Sequence, residues 1–417
     1  MFGWEFPPHI TGGLGTACYG LTHGLAENDV KVIMVIPKTF GGESDSDVRV
    51  IDASSISVDS RIVENLQPQI IELDSPIVPY VTPEEFARGV RLHSQFNGGT
   101  YNFSGKYGAN LIEEVERYAV VAMQLARDIS EQFDIIHAHD WLTYQAGILA
   151  KQISGKPLVV HVHATEFDRS GANVNPQVFR IEQMGMKAAD RVVTVSNLTK
   201  SIVVDKYGIA PEKVVVVHNA VIPENRNIVV ERDLDMQTVT YLGRITYQKG
   251  PDYFIDAAAK VLKRVDNVKF VMAGSGDLYL RSVRRVAALG LSDRFHFPGF
   301  LKGDEVRRML ARSDVYVMPS VSEPFGISPL EAMRENVPVI ISKQSGVAEI
   351  LKHAIKVDFW DTDAIADAIF GLLKYRPAAR IVVENGRREV DSLRWNDAAR
   401  NLVEIYRNLY AQKFSRL

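Results

Sequence analysis

The chain has 417 residues, 46% of them hydrophobic, a formal charge of −3 and one cysteine, Cys18. Its length predicts about two to three domains. The near-balanced charge excludes a basic footprint for nucleic acid, and the lone cysteine excludes a disulfide framework and a thiolate cluster, so the cytoplasm is the expected compartment. No apolar run reaches spanning length, and the opening Met-Phe-Gly-Trp-Glu-Phe-Pro-Pro lacks the basic and apolar regions of a signal peptide. Peripheral membrane contact stays open. Met1–Trp4 reads as the end of a strand, followed by a loop holding Gly12 and Gly13 and a helix over 16–27. Strand, glycine loop and helix is a phosphate-binding order, or simply a tight turn. Val30–Pro37 reads as a strand buried on both faces. The pairing of 41–75 is not legible. Residues 82–110 mix Phe96, Tyr101, Phe103 and Tyr107 with glycine and amides, which suits either stacking on sugar rings or an irregular loop over one end of the sheet.

A helix is expected over 111–131, then two strands, 134–141 and 157–164, each ending in His-x-His. Period-two alternation puts His137 with His139, and His161 with His163, on one face of each strand. Ligands of open α/β sheets bind beyond the carboxyl ends, which favours the outermost groups, Asp140 and His163. His137 and His161 read as neutral core histidines. A helix over 173–188, a strand over 191–196, a helix from Asn197 and a strand over 214–220 complete this half. Asn219 is a candidate hydroxyl binder or a turn residue.

Residues 222–236 are polar and strand-poor, the expected linker. A second alternation then predicts strands at 239–242, 268–273, 294–297, 315–318, 337–341 and 355–357, with helices near 252–265, 277–290, 303–312, 326–335, 361–374 and 395–412. The fold class is α/β with two Rossmann-like domains facing a central cleft, over 1–223 and 236–394. Arg244 and Lys249 stand between Gly243 and Gly250, where a guanidinium fork and a point charge can converge on a diphosphate, each charge-assisted bond contributing about 1.5–3 kcal/mol. Glu323 and Glu331, in Ser322-Glu-Pro-Phe-Gly-Ile-Ser-Pro-Leu-Glu, put one carboxylate in a loop and the other about two turns along a helix on the same side. Carboxylates that accept sugar hydroxyls, beside a helix start that binds anionic oxygens, suit a nucleotide sugar. Three Asp-x-Asp pairs, at 45–47, 233–235 and 361–363, lie in polar loops or before a helix, where capping explains them.

These motifs resemble the Glu-x7-Glu signature and the Gly-Arg…Lys-Gly pair of retaining glycosyltransferases of the GT-B fold, family 4/5 type. The Gly12-Gly13 loop is similar to the Lys/Thr-x-Gly-Gly loop of glycogen synthases, with Ile10-Thr11 where those usually have Lys-Val or Lys-Thr. The resemblance implies a retaining hexosyltransferase of glycogen-synthase character, moving glucose from UDP- or ADP-glucose to an α-glucan or other saccharide. Lipid-linked or cell-surface polysaccharide acceptors are the alternative. It implies His163, Arg244, Lys249 and Glu323 as catalytic, and Gly12, Gly13, Asp140, Glu331, Phe300-Leu301-Lys302 and Ser345-Gly346-Val347 as donor-binding. Acceptor contacts would come from Asn219, Phe96, Tyr101, Phe103 and Tyr107. No metal or other cofactor is expected, and the last helix is expected to return to the N-terminal domain.

Three rivals are distinguishable by experiment. A His-x-His metallohydrolase would hold zinc. A GT-B phosphorylase would carry pyridoxal phosphate on a lysine, visible as a chromophore, and an epimerase shares the fold. A carbohydrate-binding protein without catalysis would explain the aromatic loop but not the phosphate-binding constellation, and nucleotide-sugar hydrolysis on incubation separates it from a transferase.

Overall fold

β-Branched runs form the strands, and the computed structural model describes residues 1–10, 12–43, 47–62, 98–108, 110–222, 228, 230–231 and 235–414. The chain divides into two units, Met1–Val162 with Arg180–Val193 and Arg400–Leu417, and His163–Phe179 with Thr194–Ala399. In the first, Val32–Ile36 (β1) pairs in parallel with Val48–Asp52 (β2). Phe2 forms parallel bridges to Val35 and to Ala138, so the expected opening strand amounts to one bridging residue. Ile136–His139 (β3) pairs in parallel with Leu158–Val162 (β4), setting His139 opposite His161. Arg191–Thr194 (β5) follows β4 in the sheet. Helices Leu111–Asp128 and Trp141–Ser154 pack side by side. Tyr118 anchors this core: its hydroxyl donates to Gly3 O (3.2 Å) and Val35 O (2.7 Å), and Phe2, Trp4 and Phe103 meet its ring edge-on.

Helix Trp141–Ser154 has no counterpart in the sequence reading. Most of its residues are buried, so it is apolar nearly all round and lacks the one-sided stripe by which amphipathic helices are recognised.

In the second unit, Val214–Val216 (β6) runs beside the end of β5, with Val217 N–H donating to Thr194 O at 2.9 Å. A parallel sheet follows, built from Gln237–Leu242 (β7), Val268–Ala273 (β8), Phe295–Gly299 (β9), Val315–Met318 (β10), Val339–Ser342 (β11) and Ile355–Val357 (β12). Its order is β12-β11-β10-β7-β8-β9. Period-two alternation sorts the strand residues onto two cores. Val315, Val317 and Ile340 join Phe254, Phe270 and Ile369, whereas Tyr316, Met318, Val339 and Ile341 join Leu330 and Met333. Each such fully buried side chain contributes about 1.5–3 kcal/mol. The strand expected from Val337 starts at Val339, because Pro338 has no N–H to give to a ladder. Strand order reverses between β7 and β10, so the loops leaving these two strands lie together at the carboxyl edge, where ligands of such sheets bind.

Candidate active site

The loop after β7 carries Arg244, exposed, and Lys249, half-buried; the loop after β10 carries Glu323, buried. The loops are pressed together at Gly250, whose φ is +65°, and a Cβ there would stand 2.1 Å from Pro319 O. Lys249 Nζ donates to Glu323 Oε2, and Ser320 Oγ donates to the same oxygen at 3.3 Å. The lysine and glutamate side chains are 20% and 7% exposed, so the pair is largely shielded from water. Arg244 Nη2 donates to Gln248 Oε1 at 3.3 Å, and Gln248 O accepts from Val321 N–H at 2.9 Å. Both glutamates of the Glu-x7-Glu motif act on Tyr316. Burial pushes its phenol up, and the charges of Glu323 and Glu331 push it further. The Tyr316 hydroxyl lies 2.8 Å from Ser328 Oγ, at the start of the helix that carries Glu331.

The Glu323 backbone is held from the other side. Its N–H donates to Gln344 O and its carbonyl accepts from Gly346 N–H, both at 2.9 Å, while Val347 N–H donates to Phe325 O at 2.7 Å. The amides of Gly346 and Val347 thus hold the glutamate loop. Ser345 and Val347 are buried. Glu349 caps the helix Asn197–Tyr207: it accepts from Asn197 N–H (2.9 Å), Asn197 Nδ2 (3.0 Å) and Leu198 N–H (2.7 Å), and His218 Nε2 stands 3.0 Å from its Oε2. Burial opposes ionisation of Glu349, but these bonds outweigh it and hold the carboxyl below the usual carboxylate range.

His163 is half-buried in the second unit, at the start of a turn closed by Thr165 and Asp168. Glu331 and Leu301 are half-buried, Asn219 is buried, and Phe300 is exposed with Lys302 Nζ 5.9 Å from its ring centroid. In the first unit, Gly12 and Gly13 are exposed at the start of helix Gly13–Ala26, and Glu5 Oε1 accepts from Gly15 N–H at 3.2 Å. Tyr107 is exposed, Tyr101 half-buried and Phe103 buried; Phe96 lies outside the described residues. Asp140, buried at the end of β3, has φ 59° and ψ 169°, a region occupied almost only by glycine and carrying about 1–3 kcal/mol of strain.

His137, His139 and His161 are buried together, each offering a ring nitrogen within 4.8 Å of the others'. Their rings are stacked, with interplanar angles of 14–29°. In-plane lone pairs of stacked rings run side by side, whereas zinc needs donors converging to about 2.0–2.1 Å. His137 Nδ1 also bonds to Tyr406. The trio fits a core stack better than a metal centre.

Sequence reasoning missed Tyr316, Gln248, Glu349 and the pair Asp168–Ser322. Tyr316 could have been found from its place in the strand leading to Glu323. Each of the others takes at least one partner more than 70 positions away, and local spacing carries no trace of that.

Comparison with known proteins gives two family matches, "Glycosyl transferases group 1" over residues 224–389 and "Glycosyltransferase Family 4" over 83–225. An uncharacterized glycosyltransferase of Methanocaldococcus jannaschii is 30% identical, with 98% of this chain and 97% of the relative covered. A glycogen synthase of Mycobacterium tuberculosis is 25% identical, over 97% of this chain and 93% of its own. Among solved structures, sucrose-phosphate synthase from Thermosynechococcus elongatus superposes with a TM-score of 0.70 at 19% identity, over 96% and 94% of the two chains; at that identity it speaks for the fold alone.

Proposed function

The chain belongs to the GT-B glycosyltransferases of the group 1 and family 4 type, and from that premise we propose that it moves a hexosyl unit, glucose first among the candidates, from UDP- or ADP-glucose to an α-glucan or other saccharide with retention. The observation that supports this reading is the Lys249–Glu323 ion pair at the reversal of strand order, with Arg244 tied to the same loop through Gln248. In transfer, the bond between the anomeric carbon and the phosphate oxygen breaks, and the acceptor hydroxyl oxygen bonds to that carbon on the same face. The hydroxyl proton goes to the departing phosphate. Arg244 and Lys249 would stabilise the charge that develops on the nucleoside diphosphate, Glu323 would hold a sugar hydroxyl and Glu331 the ribose. Residues 300–302 would meet the base, and 345–347 would act by holding the glutamate loop. Gly12, Gly13 and Asp140 are assigned to substrate contact on the first unit.

The direct test is nucleoside diphosphate release from UDP-glucose and ADP-glucose, with and without glycogen or maltooligosaccharide, followed by NMR of the product anomer. Glucan-dependent release with an α-linked product is the expected result. Release from neither donor with any acceptor would discard the glucan reading in favour of other nucleotide sugars and lipid acceptors.

The strain at Asp140 gives a second expectation. Asp140→Gly relieves the backbone, offset in part by about 0.5–1 kcal/mol of extra chain entropy. The thermal midpoint should hold or rise while transfer falls roughly tenfold or more. A variant that loses stability, or keeps full activity, would show that the side chain serves the fold rather than the substrate.

A further inference from the structure

We propose that Asp168 is a positioning residue for Glu323, holding the loop that carries this carboxylate against the turn that begins at His163; the inference rests on the glycosyl-transfer reading above. Asp168 is 2% exposed and each of its carboxylate oxygens serves a different neighbour. Oδ2 accepts from Thr165 N–H at 2.8 Å and from Thr165 Oγ1 at 2.7 Å, closing the capping box of the short helix Glu166–Ser170. Oδ1 accepts from Ser322 Oγ at 2.5 Å, across 154 positions of sequence. Ser322 is the residue immediately before Glu323.

A capping box needs only the first set of bonds, so the second is left without a role in the helix. Burying a carboxylate beyond what the cap requires is unfavourable unless something else depends on it. Burial pushes the Asp168 carboxyl up, and the Ser322 and Thr165 hydroxyls offset only part of that. The loop it grips is fixed at other points as well: Val321 N–H donates to Gln248 O, the Glu323 backbone pairs with residues 344–346, and the Glu323 carboxylate accepts from Lys249 and Ser320. Ser322 lies between these anchors. The bond to Asp168 sets its rotation, and the direction of the next side chain follows. The same carboxylate orients the turn after His163, where Arg169 Nη2 also donates to Ala164 O at 3.0 Å. One buried group therefore fixes two stretches assigned to the chemistry, and a displacement of about 1 Å at such groups costs on the order of 10²-fold in rate.

The test compares the full chain with Ser322→Ala, Asp168→Asn, Asp168→Ala and the double variant D168A/S322A, measuring kcat, donor KM, nucleoside diphosphate affinity by calorimetry and thermal midpoint. Ser322→Ala should lower kcat about tenfold, leave donor KM and diphosphate affinity within about threefold, and lower the midpoint by only a few degrees, since one buried acceptor loses its donor. Asp168→Asn keeps an oxygen for Thr165 and an amide for Ser322, and should retain activity within about threefold. The double variant should be no worse than Asp168→Ala, since the bond that Ser322→Ala removes is already lost when Asp168 is truncated. Wild-type kcat in Ser322→Ala, a loss confined to KM, or additive losses in the double variant would overturn the inference. If Asp168→Ala does not fold, Ser322→Ala decides alone. A wild-type chain silent with every donor would instead overturn the glycosyl-transfer reading, and this inference with it.

Discussion

Lys249→Ala is expected to lower nucleoside diphosphate release by about 10²–10³-fold, the loss seen when one preorganised group is withdrawn from developing charge. It is also expected to lower stability, because the variant strands the Glu323 carboxylate in a site where it is only 7% exposed. Breaking a buried pair from one side costs up to about 3–5 kcal/mol, whereas replacing both partners by apolar groups of similar size is near neutral. The two effects therefore separate. The double variant Lys249→Met/Glu323→Leu should recover most of the thermal midpoint and none of the turnover. Recovery of turnover along with stability would mean that the pair supports the fold and that the leaving group is neutralised elsewhere. Lys249→Arg keeps the charge but widens the head group against a packed loop, and an intermediate rate is expected.

Gly346→Ala is the second large effect. A Cβ there would lie 2.1 Å from Pro324 O and 2.5 Å from Ser196 Cβ. Neither neighbour can yield easily, the first being backbone and the second buried. To admit a methyl group, the bond from Gly346 N–H to Glu323 O must open, and the glutamate moves with it. Overpacking of this kind costs about 1–3 kcal/mol, and the shift of Glu323 should reduce kcat on the order of 10²-fold. Thermal melting and turnover of the same preparation check both parts. An alanine variant with wild-type kcat would show that the position of Glu323 does not limit the reaction.

Much of this arrangement is legible in sequence where a residue's role is local. Strands 268–273, 315–318 and 355–357 fall where apolar runs between helical stretches place them. The close approach of backbone at Gly250 and Gly346 leaves its mark as glycine. The spacing of Glu323 and Glu331 puts one carboxylate in the loop and the other on the helix that follows, and the charges of both bear on Tyr316 in the strand before them. Long-range choices leave no such mark. Nothing in Thr165-Glu-Phe-Asp168 says that the aspartate will bind Ser322, and nothing in Val-Ala-Glu349 names Asn197 as its partner. Helix Trp141–Ser154 is hidden for the opposite reason, since burial on most sides removes the periodicity that would reveal it.

The first unit is assembled from three separated stretches, the last beginning at Arg400. This fixes an order of events during synthesis. Chains emerge from the ribosome at about 5–20 residues per second and domains generally fold as they appear, but here the stretch that brings Tyr406 to His137 is made after the whole second unit. The second unit, complete at Ala399, is free to fold first, so the part of the chain made earliest is the last to be finished.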